Sequence, residues 1–220
     1  MTGKLNDLKP MLLGALIAVA TLLHCGRADA GPRETLVVAG GCFWCVEADF
    51  EKVPGVQSVV SGYTGGKVMN PTYKQVSAGG TGHYEAVKIT YDAGRVSRET
   101  LLGLFFRSVD PTDAGGQFCD RGASYRTAIF VSNNAEKALA EKAKAEAQGA
   151  LGKTVVTPIL SAKTFWPAED YHQDYYKGSK IILTRRGPKK QSEAYKFYRK
   201  ACGRDARVRQ LWGGAAAFAG

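Results

Sequence analysis

The stretch LVVAGGCFWCVEADFE, residues 36–51, constrains the fold of this chain more than any other. Its β-branched Val37 and Val38 predict a strand, the following glycine pair predicts a tight turn, and residues 46–52 predict a helix. Cys42 follows the turn, so its thiol lies near unpaired N–H groups and the positive end of the helix dipole. We therefore expect Cys42 to be a nucleophile with a lowered pKa. The alternative is a buried cysteine that fills a gap in the core.

The N-terminal residues predict an export signal. Residues 11–23 carry no charge and form a stretch too short to span a bilayer comfortably. The ADA sequence at 28–30 matches a small-x-small cleavage motif. We expect residues 1–30 to be a cleaved signal peptide, residues 31–220 to form the mature domain, and the protein to be exported to the periplasm. An uncleaved anchor and a lipoprotein signal at Cys25 are the alternatives.

The chain is basic, with a formal net charge of +10, and much of the excess lies after Lys177. A basic tail is typical of proteins that bind nucleic acid or an anionic membrane surface. However, the sequence shows no fingerprint of a nucleic-acid-binding module. We therefore expect residues 181–220 to be a solvated basic segment, without a nucleic-acid partner.

Strand and helix patterns intermingle along the rest of the chain, and its 220 residues suffice for one domain with a sizeable core. We therefore expect a single α+β domain in which helices pack on a sheet. Strands are predicted at 56–61, 84–91, 125–131 and 155–160, helices at 72–77, 97–109, 133–149 and 167–176, and a long loop at 111–122.

Several polar and aromatic residues could assist a thiolate. Glu85 follows a Gly-rich loop and, if buried, would stay protonated and donate a proton. Tyr63 and Tyr125 can donate hydrogen bonds, and Phe43 and Trp44 offer an apolar slot beside the sulfur. Each residue taken alone is typical of a strand end or a core. Together they indicate thiolate attack on an electrophile, which requires an acid and a second thiol.

The motifs GGCFWCVE, GYTGG, TGHYE, VDPT, CDRG…SYR and FWPAEDYHQDYY occur in this order between Arg33 and Tyr176. This series resembles the A-type peptide methionine sulfoxide reductases. The resemblance implies a two-layer α+β sandwich with a ferredoxin-like core and a mixed sheet. It also implies that Cys42 is the nucleophile, and that Glu85, Tyr63 and Tyr125 bind and protonate the sulfoxide oxygen.

By the same resemblance, Phe43 and Trp44 form the pocket for the substrate's S-methyl group, with Asp120 nearby on the polar side. The implied reaction reduces the S epimer of methionine sulfoxide, free or in proteins, and so repairs oxidised methionine. The oxygen would remain on Cys42 as a sulfenic acid, which a second thiol converts to a disulfide. A thioredoxin-like protein would reduce that disulfide. The resemblance implies no metal and no bound cofactor, and we expect a monomer.

Two departures from the family pattern concern the resolving thiol. Many members carry glycine where this chain has Cys45, and its C-terminal segment differs from the flexible Gly-rich tail with cysteines of many members. We choose Cys202 as the resolving residue because it lies beside Gly203 in a segment that can fold back. Cys119, in the long loop, is the second choice and Cys45 the third.

Two other functions compete with this interpretation. A thioredoxin-type oxidoreductase would use Cys42-x-x-Cys45, with Thr157-Pro158 as the cis-proline element, and would ignore sulfoxides. A structural zinc site would use Cys42, Cys45 and Cys119 with a histidine or Cys202, and metal analysis would reveal it. The order of the motifs favours the reductase over both.

Overall fold

The computed structural model describes residues 31–219, so the predicted signal peptide lies outside the described residues. The strands are β1 (Arg33–Gly40), β2 (Val56–Thr64), β3 (Tyr84–Asp92), β4 (Gly116–Gln117), β5 (Asp120–Arg121), β6 (Thr127–Val131), β7 (Ile159–Ser161), β8 (Trp166–Pro167), β9 (Ile181–Thr184) and β10 (Gly187–Lys190). The α-helices are α1 (Phe43–Phe50), α2 (Tyr73–Ala78), α3 (Arg98–Phe106), α4 (Asn134–Leu151), α5 (Gln191–Ala201) and α6 (Arg204–Trp212).

A six-stranded mixed sheet, in the order β7–β6–β1–β3–β2–β8, forms the centre of the domain. Only the β6–β7 pair is parallel; the other pairs of this sheet are antiparallel. Side chains alternate across β1, so Leu36 and Val38 enter the larger core whereas Val37 and Ala39 enter the smaller one. The larger core also contains apolar residues of α1, α3 and α4. The predicted α+β class, with helices packed on a mixed sheet, is confirmed.

The strand predicted at 155–160 begins later than expected, at Ile159. Pro158 has no N–H to contribute to a ladder, and the edge strand β7 begins at the residue that follows it. Before it, the Val156 N–H donates to the Pro111 carbonyl and the Thr157 hydroxyl bonds that of Thr127. The Thr157–Pro158 peptide is trans, as are the other peptide bonds between described residues, so the cis-proline that the thioredoxin-type alternative would use is absent here.

The helix predicted at 167–176 is wrong. This segment forms β8 and then two 3₁₀ turns, Asp170–His172 and Tyr175–Lys177. Asp174 separates the turns with a φ of +55°, which a right-handed helix cannot contain. Its N–H donates to Glu47 Oε1 at 2.9 Å. The segment is therefore held against α1 as an ordered loop.

The predicted loop at 111–122 contains a short hairpin of β4 and β5, so it is less irregular than expected. Phe118 lies in the turn with a φ of +54°, and the exposed Cys119 follows it. Among residues 31–219, no helix combines the length and the apolar character that crossing a bilayer requires.

The C-terminal helices are held against α1 by a buried ionic cluster. The fully buried carboxylate of Asp49 accepts a hydrogen bond from Arg199 Nη1 at 2.8 Å, and Arg204 Nε lies 3.9 Å away. The Arg204 guanidinium also donates to the carbonyls of Gly40 and Ser108. These contacts join α5 and α6 to the helix that follows Cys42. The basic segment 181–220 is therefore not solvated throughout, contrary to our expectation, because its Arg204 is buried.

We predict that Arg199→Ala lowers the free energy of unfolding by about 3 kcal/mol, because Asp49 then keeps a buried charge without its nearest cation. Urea denaturation of the purified protein measures this loss. Lys177→Ala is the matched control: Lys177 contacts Glu51 at 2.8 Å but is 51% exposed. We expect a loss below about 1 kcal/mol for that pair. Equal losses in the two variants would contradict a special role for the buried cluster.

Candidate active site

Two glycines shape the turn that places Cys42. A Cβ on Gly40 would lie 2.9 Å from Val46 Cγ2, so the start of α1 can approach β1 only because this side chain is absent. Gly41 has a φ of +82°, and a Cβ there would lie 2.6 Å from Gln117 Cβ. Cys42 is the N-cap residue of α1, as the sequence predicts.

Glu85 lies beside this helix start. It is 2% exposed on β3, and its Oε2 accepts a hydrogen bond from the Phe43 N–H at 3.1 Å. Burial raises the pKa of Glu85 to about 8, because an ionised carboxylate is poorly solvated there. The carboxyl group is therefore mostly neutral at pH 7 and can donate a proton.

Two phenols adjoin Glu85. The Tyr125 phenol lies close enough to Glu85 and to Tyr73, the first residue of α2, to influence the protonation of both. Burial raises the pKa of Tyr73 to about 12 and that of Tyr125 further, so both hydroxyls remain donors at neutral pH. Tyr73 was not singled out from the sequence. The capping box of Thr72 and Gln75 marks the start of α2, but it does not indicate which group the Tyr73 hydroxyl contacts.

Tyr63 does not join this group as expected. It pairs directly with Glu85 across β2 and β3, but its hydroxyl donates to Glu169 Oε2 at 2.9 Å. Its buried ring lies 5.9 Å from that of Phe43. The structure thus corrects the sequence-based assignment: Tyr63 supports the apolar wall, and Tyr73 supplies the second phenol near Glu85.

The apolar slot is built from stacked rings. Trp44 lies 3.8 Å from Tyr175 with the two planes 4° apart, and its Nε1 donates to His172 Nδ1 at 3.2 Å. The Phe43 ring lies 5.1 Å from His172. Burial lowers the pKa of His172 to about 4, so this imidazole is neutral at pH 7. Phe43 and Trp44 thus lie in one aromatic cluster with His172, which was not singled out from the sequence.

The thiol of Cys42 differs from our expectation. Cys42 is only 8% exposed, and burial raises its pKa well above the usual value. The neighbouring Cys45 thiol and the charges of Glu85 and Asp120 raise the pKa of Cys42 as well. The neighbouring Cys42 thiol and the nearby arginines lower the pKa of Cys45. At the start of a helix this short, burial outweighs the dipole that the sequence argument relied on.

The other two cysteines are joined to each other. Cys119 and Cys202 form a disulfide with a Cα–Cα distance of 4.9 Å, whereas Cys42 and Cys45 are free thiols. In this state Cys202 is therefore bonded to Cys119 and not to Cys42. Two ligands of the alternative zinc site are also occupied by this bond.

Asp120 connects the disulfide to Cys42. It follows Cys119, its carboxylate accepts a hydrogen bond from the Tyr198 hydroxyl, and its charge acts on the Cys42 thiol. Burial raises the pKa of Asp120. Tyr198 lies one helical turn before Cys202 and contacts the edge of Trp44 at 6.2 Å between ring centroids. The disulfide thus adjoins the residues around the buried thiol.

Comparison with known proteins agrees with these features. Residues 34–213 match the family model described as peptide methionine sulfoxide reductase. Peptide methionine sulfoxide reductase MsrA 2 of Caulobacter vibrioides is 50% identical over 199 residues, which cover 90% of this chain and 95% of that protein. MsrA 2 of Rhizobium meliloti is 48% identical over 205 residues, covering 92% and 94% respectively.

Solved structures give the same result. Reduced Mxr1 from Saccharomyces cerevisiae matches with a TM-score of 0.63 and 30% identity, over 66% of this chain and 84% of that one. Methionine sulfoxide reductase A of Corynebacterium diphtheriae matches with a TM-score of 0.60 and 30% identity, over 71% and 79%. The thioredoxin-type alternative is therefore not favoured. The chain belongs to the peptide methionine sulfoxide reductase family and is an A-type methionine sulfoxide reductase.

Proposed function

We propose that this chain reduces the S epimer of methionine sulfoxide, free and in proteins, with Cys42 as the nucleophile. One arrangement carries the proposal: a thiol at a helix start lies near a buried, neutral Glu85, and the phenols of Tyr125 and Tyr73 lie beside that carboxyl group. Neutral donors suit a sulfoxide because the oxygen gains negative charge as the sulfur is attacked.

In the first step, Glu85, Tyr125 and Tyr73 donate hydrogen bonds to the sulfoxide oxygen while the Cys42 sulfur attacks the substrate sulfur. Glu85 protonates the oxygen and recovers a proton from the thiol. The S–O bond of the substrate breaks and the oxygen passes to Cys42, giving methionine and a Cys42 sulfenic acid. Since the resting thiol is protonated, it becomes reactive when a sulfoxide accepts the proton.

In the second step, the Cys202 thiol displaces water from the Cys42 sulfenic acid and forms a Cys42–Cys202 disulfide. The Cys119 thiol then attacks Cys202, which releases Cys42 and forms the Cys119–Cys202 disulfide. The Cys119–Cys202 disulfide, next to Asp120, supports this order of disulfide exchanges. Cys119 is thereby added to the expected pair as the residue that holds the product disulfide.

A thioredoxin-like protein then reduces the Cys119–Cys202 disulfide and completes the cycle. The exposure of Cys119 supports access by such a donor. The composition of residues 1–30 supports export to the periplasm after signal cleavage. We further propose that the mature protein acts as a monomer.

The proposal predicts that residues 31–220, given dithiothreitol and the two separated epimers of a methionine sulfoxide peptide, reduce only the S epimer. Cys42→Ser should abolish this reaction, because a hydroxyl group of far higher pKa cannot replace the sulfur nucleophile. Chromatography of the peptide measures the methionine formed. Reduction of the R epimer, or substantial activity in Cys42→Ser, would contradict the assignment.

We predict that the single-turnover rate of the wild type falls above about pH 8, since Glu85 is neutral below its raised pKa and ionised above it. Glu85→Gln should be slower by about 10²–10⁴-fold and lose this pH dependence. Rapid-quench measurements between pH 6 and 10 test both effects. Glu47→Gln is the matched control, because Glu47 is also buried but bonds Ser61 and the Asp174 N–H. The single-turnover rate of the control should still fall above about pH 8. If the rate of Glu85→Gln also falls there, Glu85 is not the acid.

We predict that Cys202→Ser releases about one equivalent of methionine per enzyme molecule and then stops as the sulfenic acid. Thioredoxin-supported turnover should fall sharply, and dithiothreitol should partly restore it by attacking the sulfenic acid directly. Cys119→Ser should accumulate the Cys42–Cys202 disulfide, and Cys45→Ser should retain turnover. Peptide mapping identifies the bonds. A dominant Cys42–Cys45 bridge, with turnover surviving in Cys202→Ser, would contradict this order.

A further inference from the structure

A concave surface beside the Cys119–Cys202 disulfide has no role in the steps above. The hairpin of β9 and β10 and the exposed side of α5 enclose a groove of about 650 Å³. Phe197, 48% exposed, lies along it, and Arg186 lies over this ring at 4.1 Å from the centroid. Such a partly exposed aromatic ring, pre-ordered by a cation, is typical of an anchor in a protein interface.

Two residues of the groove wall are linked to the two cysteines of the disulfide. Ala201 lines the groove and precedes Cys202. Tyr198 lines it one turn earlier and donates its hydroxyl to Asp120, the neighbour of Cys119. A protein bound in the groove would therefore contact the surface that surrounds the disulfide.

The rim of the groove is positively charged. Arg185, Arg186 and Lys189 line it on the hairpin side and are exposed. The one carboxylate among the lining residues, that of Glu193, accepts a hydrogen bond from the Lys190 N–H at the start of α5. The groove thus has an apolar floor and a rim with a net positive charge. These features are complementary to a partner that has an apolar contact surface with carboxylates at its edge.

We infer that this groove is the docking site of the electron donor, a thioredoxin-like protein whose dithiol is surrounded by an apolar surface with acidic residues at its edge. The inference rests on the proposed function, since it assigns a surface to the last step of that cycle. Thiol–disulfide exchange passes through a mixed disulfide, so the surfaces around the two reacting sites must come together. No other step requires a macromolecule at this face.

Two other occupants fit the groove less well. An anionic membrane would be attracted by the rim, but a concave groove between a hairpin and a helix suits a protruding protein segment better than a lipid surface. An oxidised substrate protein must reach Cys42 instead. Tyr198 separates the groove from that thiol, because it lines the groove on one side and packs with the residues around Cys42 on the other.

The test is the Michaelis constant for a bacterial thioredoxin, kept reduced by its reductase and NADPH. We expect it to rise about tenfold in the double variant Arg186→Glu/Phe197→Ser, because an anchor and its rim charge are both lost. Turnover supported by dithiothreitol should stay within about twofold of wild type, since a small thiol does not need the groove. Lys142→Glu and Val156→Ser, exposed positions outside the groove, are matched controls and should change neither value.

Raising the ionic strength should weaken thioredoxin binding in the wild type more than in the double variant, because salt screens the rim charges. The inference is overturned if the constant for thioredoxin is unchanged in the double variant. It is also overturned if the double variant instead has a higher Michaelis constant for an oxidised protein in the dithiothreitol assay. A variant that loses only its binding to anionic vesicles would overturn it as well. Failure of the wild type to reduce sulfoxide even with dithiothreitol would reject the proposed function itself.

A second measurement does not depend on the folding of a variant. A thioredoxin whose second active-site cysteine is replaced by serine forms a stable mixed disulfide with the wild-type reductase. Hydrogen exchange of this complex should show protection at residues 184–201 relative to the free enzyme. Protection confined to other segments would overturn the inference.

Discussion

The position of the C-terminal helices depends on one buried carboxylate. Asp49 lies on α1, the helix that Cys42 begins, and has no exposure to water. A charge in that position is tolerable only with partners, and Arg199 and Arg204 provide them from α5 and α6. Moving α5 or α6 away from α1 would separate a buried arginine from the Asp49 carboxylate. The cluster therefore selects one arrangement of the C-terminal segment relative to the nucleophile, and with it the positions of Tyr198 and Cys202.

The same exclusion of water sets the chemistry of the site. Burial favours the neutral forms of Cys42, Glu85 and the nearby phenols, so the resting site contains proton donors rather than charges. Such a site binds a polar but uncharged sulfoxide without having to separate ion pairs first. Its reactivity arises from proton transfer at the moment of attack, and a preformed thiolate is not required.

Local sequence patterns predicted the parts of the site that local physics controls. The glycine pair specified the turn before Cys42, and the Gly-rich loop before Glu85 placed a carboxyl group at the start of β3. Local patterns could not show whether Tyr63 or Tyr73 places its hydroxyl near Glu85. The Tyr63 hydroxyl instead donates a hydrogen bond to Glu169, which is 106 positions away in the chain. The disulfide pairing likewise depends on how the C-terminal segment folds back. Asp174, with its left-handed backbone, ended a helix that the flanking residues would otherwise favour.

The Cys119–Cys202 bond joins positions that are 83 residues apart. In the loop-closure description, a crosslink of this span removes about 4.5 kcal/mol of chain entropy from the unfolded ensemble. The enzyme that awaits its electron donor is thus more resistant to unfolding, and to proteolysis of unfolded chains, than the fully reduced enzyme. When the donor is scarce, we therefore expect oxidised molecules to be degraded more slowly than reduced ones. They form a reserve of oxidised enzyme that becomes active again, without new protein synthesis, when reduced donor is supplied.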